Sequence, residues 1–145
     1  MNITKGKRRI GILTGGGDAP GLNAVIRAVV HTAMKDFNVE VLGLRNGFDG
    51  LVEPEDVIVL SHAEVRGILS HGGTILGAAN RGNPFSRKTI VNGEEVIRDM
   101  SSQALENIER LKLDSLIVVG GDGTLSISKA LYDRGAPIVG VPKTI

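Results

Sequence analysis

Two glycine-rich turns are the features of this sequence most able to do chemistry. The first, Gly-Gly-Gly-Asp-Ala-Pro-Gly at residues 15–21, lies between a short apolar run and an amphipathic helical pattern. The second, Gly-Gly-Asp-Gly-Thr at residues 120–124, has the same setting. A turn between a strand and a helix presents backbone amides and the positive end of the helix dipole to an anion. Glycine also lets the backbone approach a phosphate closely, so both turns predict phosphate binding.

The second turn adds side chains that suit a metal-bound phosphate. We expect Asp122 to help hold Mg²⁺, directly or through water, while the Thr124 hydroxyl and nearby amides bind phosphate oxygens. The alternative is that Asp122 or Thr124 only caps a helix, which leaves the glycines without a reason. For the first turn, the alternative is a tight turn without a ligand. The first turn is neither a Walker A loop nor a Gly-x-Gly-x-x-Gly fingerprint.

The hydrophobic pattern predicts the elements that position these turns. Apolar runs of strand length occur at residues 9–14, 39–44, 57–60, 115–119 and 137–141. Helical spacing occurs at residues 22–33, 63–69, 105–111 and 127–131. Asn92-Gly93 predicts an exposed hairpin within residues 89–96. The alternation predicts an α/β fold, a Rossmann-like parallel sheet with helices on both faces, because an unbroken apolar run such as residues 116–119 must bury both of its sides.

Composition limits the remaining possibilities. The 145 residues predict one globular domain over residues 1–145, with a net charge of +1 that favours neither nucleic acid nor an anionic membrane. Without cysteine, neither a disulfide framework nor a thiolate metal site can form. No segment approaches transmembrane length, and the cytoplasm is the expected location.

Four motifs in order make the sequence resemble the phosphofructokinase family. They are Gly-Gly-Asp-Ala-Pro-Gly-Leu-Asn at residues 16–23, Gly-Gly-Thr-Ile-Leu-Gly at 72–77, Gly-Gly-Asp-Gly-Thr at 120–124 and Pro-Lys-Thr-Ile at 142–145. The resemblance spans essentially the whole chain. The third motif also occurs in NAD kinases and diacylglycerol kinases. Kinases of that group are the alternative, although they leave the first and last motifs unexplained.

The resemblance implies roles for individual residues. It places the phosphoryl donor at Gly17, Arg81, Gly82, Gly121, Asp122, Gly123, Thr124 and Lys143. Arg81 would stabilise charge on the moving phosphoryl group, although the loop at residues 77–85 differs from the shorter loop of the best-known bacterial enzymes. Thr144 would face the acceptor end of the sugar. Arg27, His31 and His62 match arginines of the bacterial effector site, and with two of them replaced by histidine we expect little effector control at neutral pH.

The activity that this resemblance implies is that of a glycolytic 6-phosphofructokinase. Such an enzyme uses Mg²⁺ to transfer phosphate from ATP to fructose 6-phosphate, and the full-length protein is expected to be a homo-oligomer. The family's aspartate general base directly follows the Thr-Ile pair, where this sequence ends. We therefore expect an N-terminal portion that lacks the base and the sugar-phosphate-binding half and is inactive alone. A non-catalytic nucleotide-binding module is the alternative.

Two positions bear on the donor, and they disagree. Gly123 resembles the ATP-using branch of the family, because a side chain at this place would crowd the α-phosphate and the nucleoside. Lys143 resembles the pyrophosphate-using branch. We favour ATP, because an absent side chain permits ATP whereas a flexible lysine can move aside. Pyrophosphate remains the alternative donor.

Overall fold

A five-stranded sheet, with strand order β3-β2-β1-β6-β7, organises the computed structural model, which describes residues 6–78 and 82–143. Its strands are β1 (Arg9–Thr14), β2 (Glu40–Leu44), β3 (Val57–Leu60), β6 (Ser115–Gly120) and β7 (Ile138–Pro142). Strands β2, β1, β6 and β7 run parallel, so their carboxyl ends lie at one edge of the sheet. Both glycine-rich turns lie at this edge, because they directly follow β1 and β6.

Helices cover both faces of the sheet. Their bounds are α1 (Leu22–Asp36), α2 (Asp49–Val52), α3 (Ser101–Arg110) and α4 (Asp122–Asp133). On one face α1 buries Leu22, Ile26 and Val30 in a cluster with apolar residues of the sheet. On the other face α2, α3 and α4 bury a second cluster, which includes Leu51, Ile108 and Leu131. Burial of both faces explains why β6 is almost entirely apolar.

The structure corrects two sequence-based expectations. Strand β3 pairs antiparallel with β2, so the sheet is mixed and not wholly parallel. The connection between these strands contains only the four-residue helix α2, which does not carry the chain back for a parallel pairing. The helix expected at residues 63–69 is a series of turns. Gly67 has φ of 73° there, and a left-handed residue ends a helix after a single turn.

The predicted hairpin forms its own two-stranded sheet. Strand β4 (Arg87–Val91) pairs antiparallel with β5 (Glu94–Arg98), and Asn92 and Gly93 form the turn with φ of 52° and 80°. Every residue of β5 is exposed. A short 3-10 helix, Pro84–Ser86, leads into the hairpin. The hairpin therefore stands outside the main sheet.

No described helix combines the length and the apolar character that crossing a membrane requires.

Candidate functional site

The two glycine-rich turns lie side by side. Strands β1 and β6 are neighbours, with Thr14 opposite Val119, so the turns that follow them begin at the same level of the sheet. The Gly15 amide donates to the Val119 carbonyl at 2.9 Å, which ties the first turn to the end of β6. The Lys143 amide donates to the Gly120 carbonyl at 3.0 Å and brings the end of β7 to the same place. Three successive strand ends thus form one continuous surface.

Thr124 fills the boundary between the two turns. Its side chain is 7% exposed, and it packs against glycine on both sides. A Cβ added at Gly15 would lie 2.7 Å from the Thr124 Cγ2 and Oγ1 atoms, and one added at Gly120 would lie 2.5 Å from Cβ and Cγ2. These two glycines are therefore required by close packing against a neighbouring side chain, a role that the sequence analysis did not assign to them.

A polar cleft of about 480 Å³ opens between the turns. Glycine from both turns forms its walls, and a Cβ at Gly17, Gly121 or Gly123 would meet no atom of the described residues within 4 Å. Among residues 6–78 and 82–143, the lining consists of Gly15, Gly16, Gly17, Phe48, Gly82, Asn83, Gly121, Asp122, Gly123, Thr124, Ser126, Ile127 and Lys143. The glycines of the two turns thus divide into those that pack against Thr124 and those that face open space.

The start of α4 forms one wall of this cleft. Gly121 occupies the N-cap position with φ of −87°, and no described side chain caps the helix. The capping role considered for Asp122 and Thr124 is therefore not observed. Asp122 is the first residue of the helix and is exposed in the cleft. The uncapped amides and the positive end of the helix dipole can hold an anion at this place.

The Lys143 ammonium is a second positive group in the cleft. Its Nζ atom is buried and has no hydrogen-bond partner among the described residues. It lies 3.6 Å from the place that a Gly16 Cβ would occupy, above the first turn. A buried cation without a partner is costly unless an anion neutralises it. This arrangement suits a phosphate group bound between the turns.

The donor set of the cleft fits Mg²⁺ carried by a polyphosphate. Within residues 6–78 and 82–143, no three side chains of His, Cys, Asp or Glu come together to hold a metal on their own. Magnesium in phosphoryl-transfer sites usually takes one or two carboxylates and completes its shell with phosphate oxygens and water. Asp122 can supply that carboxylate.

The structure brings together most of the residues named from the sequence. Those that line the cleft are Gly17, Gly82, Gly121, Asp122, Gly123, Thr124 and Lys143. Arg81 and Thr144 lie outside the described residues. Four further lining residues were not predicted from the sequence: Phe48 and Asn83 come from other loops, and Ser126 and Ile127 belong to the first turns of α4. The last two had a usable signal, because the start of a helix that opens at a phosphate turn faces the ligand.

The two matched effector histidines lie together. The rings of His31 and His62 meet edge to face with centroids 4.6 Å apart. Partial burial lowers the pKa of His31, and the charges of Arg27, His62 and Lys35 lower it further. The expectation of weak effector control stays a prediction.

The larger apolar groove of the molecule is separate from this site. It has a volume of about 720 Å³ and lies between α1 and the sheet, where Ile10, Val29 and Ile117 contribute to its walls. Its lining shares no residue with the polar cleft.

The fold and the site define a class of protein, an α/β domain whose adjacent strand ends form a cleft suited to a polyphosphate. The family model described as Phosphofructokinase matches residues 9–145. The chain belongs to the phosphofructokinase family, which confirms the resemblance found in its motifs. The solved phosphofructokinase of Pichia pastoris superposes with a TM-score of 0.81 at 32% identity, over 99% of this chain and 16% of that one, and this confirms the predicted fold class.

Relatives with both phosphoryl donors are similar to the chain. It is 48% identical to the ATP-dependent 6-phosphofructokinase of Chloroflexus aggregans, over 96% of this chain and 38% of the relative. It is 50% identical to ATP-dependent 6-phosphofructokinase 3 of Streptomyces coelicolor, over 94% and 37%. It is 45% identical to the pyrophosphate–fructose 6-phosphate 1-phosphotransferase of Dictyoglomus thermophilum, over 96% and 36%. The chain thus spans less than two fifths of the length of these relatives.

Proposed function

We propose that this chain is the donor-binding portion of an ATP-dependent 6-phosphofructokinase. The whole protein would transfer the terminal phosphoryl group of Mg²⁺-bound ATP to fructose 6-phosphate, as a homo-oligomer in the cytoplasm. The observation that carries the proposal is the shared cleft onto which both glycine-rich turns open. The Lys143 ammonium also lines it and has no hydrogen-bond partner in the part of the chain that the structure describes. The names of the Chloroflexus and Streptomyces relatives support the choice of reaction.

Each part of the cleft has a role in this proposal. The uncapped start of α4 and the open backbone at Gly17 bind phosphate oxygens, because amides and the helix dipole favour negative charge. The Asp122 carboxylate holds Mg²⁺, which when bound neutralises charge on the donor phosphates. Phosphoryl transfer depends mainly on positioning and charge stabilisation, and these residues supply both for the donor.

Proton transfer is not assigned to any described residue. By resemblance to the family, the general base directly follows Thr144 and Ile145, and Thr144 faces the sugar. Arg81 is assigned to the transferred phosphoryl group in the same way. We therefore propose that the chain alone binds its donor without turning it over.

Pyrophosphate is the second candidate donor. The buried Lys143 Nζ atom favours it, since an extra cation in the cleft compensates for the smaller donor's missing nucleoside contacts. Gly123 favours ATP, because no atom of residues 6–78 and 82–143 lies within 4 Å of a Cβ built there. We give Gly123 more weight, since open space is needed for a nucleotide whereas the lysine stem can turn.

Calorimetry with Mg²⁺-ATP and Mg²⁺-pyrophosphate tests the choice of donor. We expect wild type to bind ATP more tightly, and Lys143→Met to weaken pyrophosphate binding about tenfold, which corresponds to the loss of one charged hydrogen bond. Lys129→Met is the matched control, because Lys129 lies on the outer surface of α4 and pairs with Asp133 at 2.6 Å. Binding of pyrophosphate but not ATP would select the second donor. Binding of neither would overturn the proposal.

Turnover separates an enzyme portion from a non-catalytic module. We suggest joining this chain to the remaining sequence of the Chloroflexus aggregans relative and assaying phosphorylation of fructose 6-phosphate beside the isolated chain. Activity in the fusion alone is the expected outcome. Donor binding without turnover in either protein would favour the module, and activity on NAD would favour the other kinase group.

A further inference from the structure

Asn23 lies two residues after the end of the first turn and is 2% exposed. It is the second residue of α1, and its amide points across to the loop that contains His71 and Ile75. The Nδ2 group donates to the carbonyls of His71 at 3.2 Å and Gly72 at 3.4 Å. The Oδ1 atom accepts from the Ile75 amide at 2.8 Å. One side chain thus satisfies three backbone groups of another segment.

The residues that Asn23 holds form the back of the first turn. Residues 72–74 and Gly77 line a second polar cleft, of about 540 Å³, together with Gly16 and Gly17. A Cβ built at Gly73 would lie 3.7 Å from a carboxylate oxygen of Asp18. The backbone at Gly16 and Gly17 is therefore a ridge, with the donor cleft on one side and residues 72–77 on the other.

Thr14 makes a second attachment between the same two parts. Its hydroxyl donates to the Gly77 carbonyl at 2.9 Å and lies 2.9 Å from the Thr74 hydroxyl. Asn23 holds the beginning of residues 72–77, and Thr14 holds the end. The chain then returns at Gly82 to the wall of the donor cleft.

The residue type at position 23 is informative. A buried amide side chain costs free energy unless both of its ends are hydrogen-bonded. Only an amide side chain can donate to two carbonyls and accept from an N–H at once. Here this residue type fixes the ridge that faces the proposed donor.

We infer that Asn23 is a positioning residue for the donor site. Its three hydrogen bonds hold residues 71–75 against the start of α1, which directly follows the first turn, so the amides around Gly17 are held in the arrangement that binds phosphate. Asn23 touches no donor atom in this inference. It acts through the backbone that it holds, and the inference rests on the proposed function. Preorganised amides matter because small displacements of a binding group weaken it strongly.

Asn107 provides a matched control. It is a buried asparagine on α3, 1% exposed, and its Nδ2 group donates to the carbonyls of Leu51 and Val52 at 2.8 Å each. It therefore locks α2 on the opposite face of the sheet in a comparable way. Its loss should cost stability as the loss of Asn23 does, without moving the ridge.

The test compares Asn23→Leu with Asn107→Leu in the intact chain. Urea unfolding, amide hydrogen exchange and calorimetry with Mg²⁺-ATP are measured for both variants. We expect both to lower the urea midpoint. Only Asn23→Leu should speed exchange of the Ile75 amide and raise the ATP dissociation constant about tenfold. Asn107→Leu should leave that constant within about twofold of wild type.

A milder variant protects the test against simple misfolding. Asn23→Gln keeps the acceptor and the donors of the amide on a longer stem, so it should show a smaller change in both exchange and affinity than Asn23→Leu. Equal ATP affinity in the Asn23 and Asn107 variants would overturn the positioning role. So would unchanged exchange at Ile75. If wild type binds no donor while Asn23→Leu still speeds exchange of the Ile75 amide, the proposed function has failed. The hold of Asn23 on residues 71–75 is then still supported.

Discussion

The two glycine-rich turns expose backbone to the same cleft in different ways. In the first, seven residues at positions 15–21 separate β1 from α1, and Gly16 and Gly21 have φ of 75° and 93°. In the second, Gly121 alone separates β6 from α4, and it has an ordinary extended φ of −87°. The second turn is thus a helix start that offers its dipole to an anion, whereas the first is a shaped loop that other residues must hold. Substitutions should therefore harm the second turn by intruding on the ligand and the first by straining the backbone.

The largest effect is expected from Gly123→Asp in the second turn. The new carboxylate would enter the open cleft beside the phosphates, where a like charge costs about 3 kcal/mol, or roughly a hundredfold in affinity. Stability should rise slightly, since an acidic residue suits the first turn of a helix. Calorimetry and urea unfolding measure the two changes. Gly123→Ala is the uncharged control. If Gly123→Ala lost as much ATP affinity as Gly123→Asp, the volume of the added side chain and not its charge would be the cause.

The next largest effect is expected on stability, where Thr124 packs against Gly15 of the first turn and Gly120 of the second. Gly15→Ala and Gly120→Ala should each lower the free energy of unfolding by about 2 kcal/mol, because the added methyl group overlaps Thr124. Gly121→Ala, which faces open space, should change it by less than about 0.5 kcal/mol. Urea unfolding of the three variants checks this order.

Thr124→Ala separates the two packed glycines. At Gly15 the nearest atoms are Thr124 Cγ2 and Oγ1, with Cβ at 3.3 Å, so removing the outer atoms should relieve Gly15→Ala. At Gly120 the Thr124 Cβ itself lies at 2.5 Å, so the overlap should persist. Equal relief in both double variants would contradict the difference in packing described for the two glycines.

A smaller effect is expected from Gly21→Ala in the first turn. Gly21 has φ of 93°, and a side chain there strains the backbone by about 1 kcal/mol, although no atom in the described part of the chain lies within 4 Å of a built Cβ. Thermal or urea unfolding should show this loss. Gly17→Ala, without a left-handed φ, is the control and should be nearly neutral for stability. A larger loss for Gly17→Ala than for Gly21→Ala would place the strain elsewhere in the turn.

The smallest effect concerns His31, in the part of α1 farther from the first turn. The pKa of His31 in the folded chain is lowered from 6.5 by partial burial and by nearby positive charges. The unfolded chain therefore binds this proton more readily, so its contribution to stability is present above about pH 6.5 and is lost as pH falls through the folded pKa. His31→Gln should flatten this part of the stability–pH curve, with His71→Gln as control. Parallel changes in ATP affinity would mean that α1 transmits the titration to the first turn.

Much of this architecture could be predicted from the sequence, because local patterns specify it. The runs that became β1 and β6, the helical spacing of α1 and α4, and the turn pair Asn92-Gly93 each contain their own signal. The direction of β3 could not be predicted in the same way, since it depends on how the chain between β2 and β3 folds back. The spacing of Val65 and Ile68 predicted a helix, but these side chains are buried by turns that pack into the α1 cluster.

The candidate site could likewise be predicted only in part from local sequence patterns. Glycine and aspartate at strand ends predict a phosphate site, because backbone exposure and charge follow directly from residue type. The contact of Thr124 with Gly15 joins residues far apart in sequence, and so does the lock between Asn23 and Ile75. No local pattern encodes such contacts, which arise only when the strand order brings the turns together.

The hairpin formed by β4 and β5 offers a practical opportunity for labelling this molecule. Its tip at Asn92 and Gly93 is exposed, belongs to no other sheet and follows the cleft residue Asn83 by only a short stretch of chain. Exposed hairpin tips tolerate inserted sequence well. An epitope or fluorophore placed between Asn92 and Gly93 would therefore leave the folded core undisturbed.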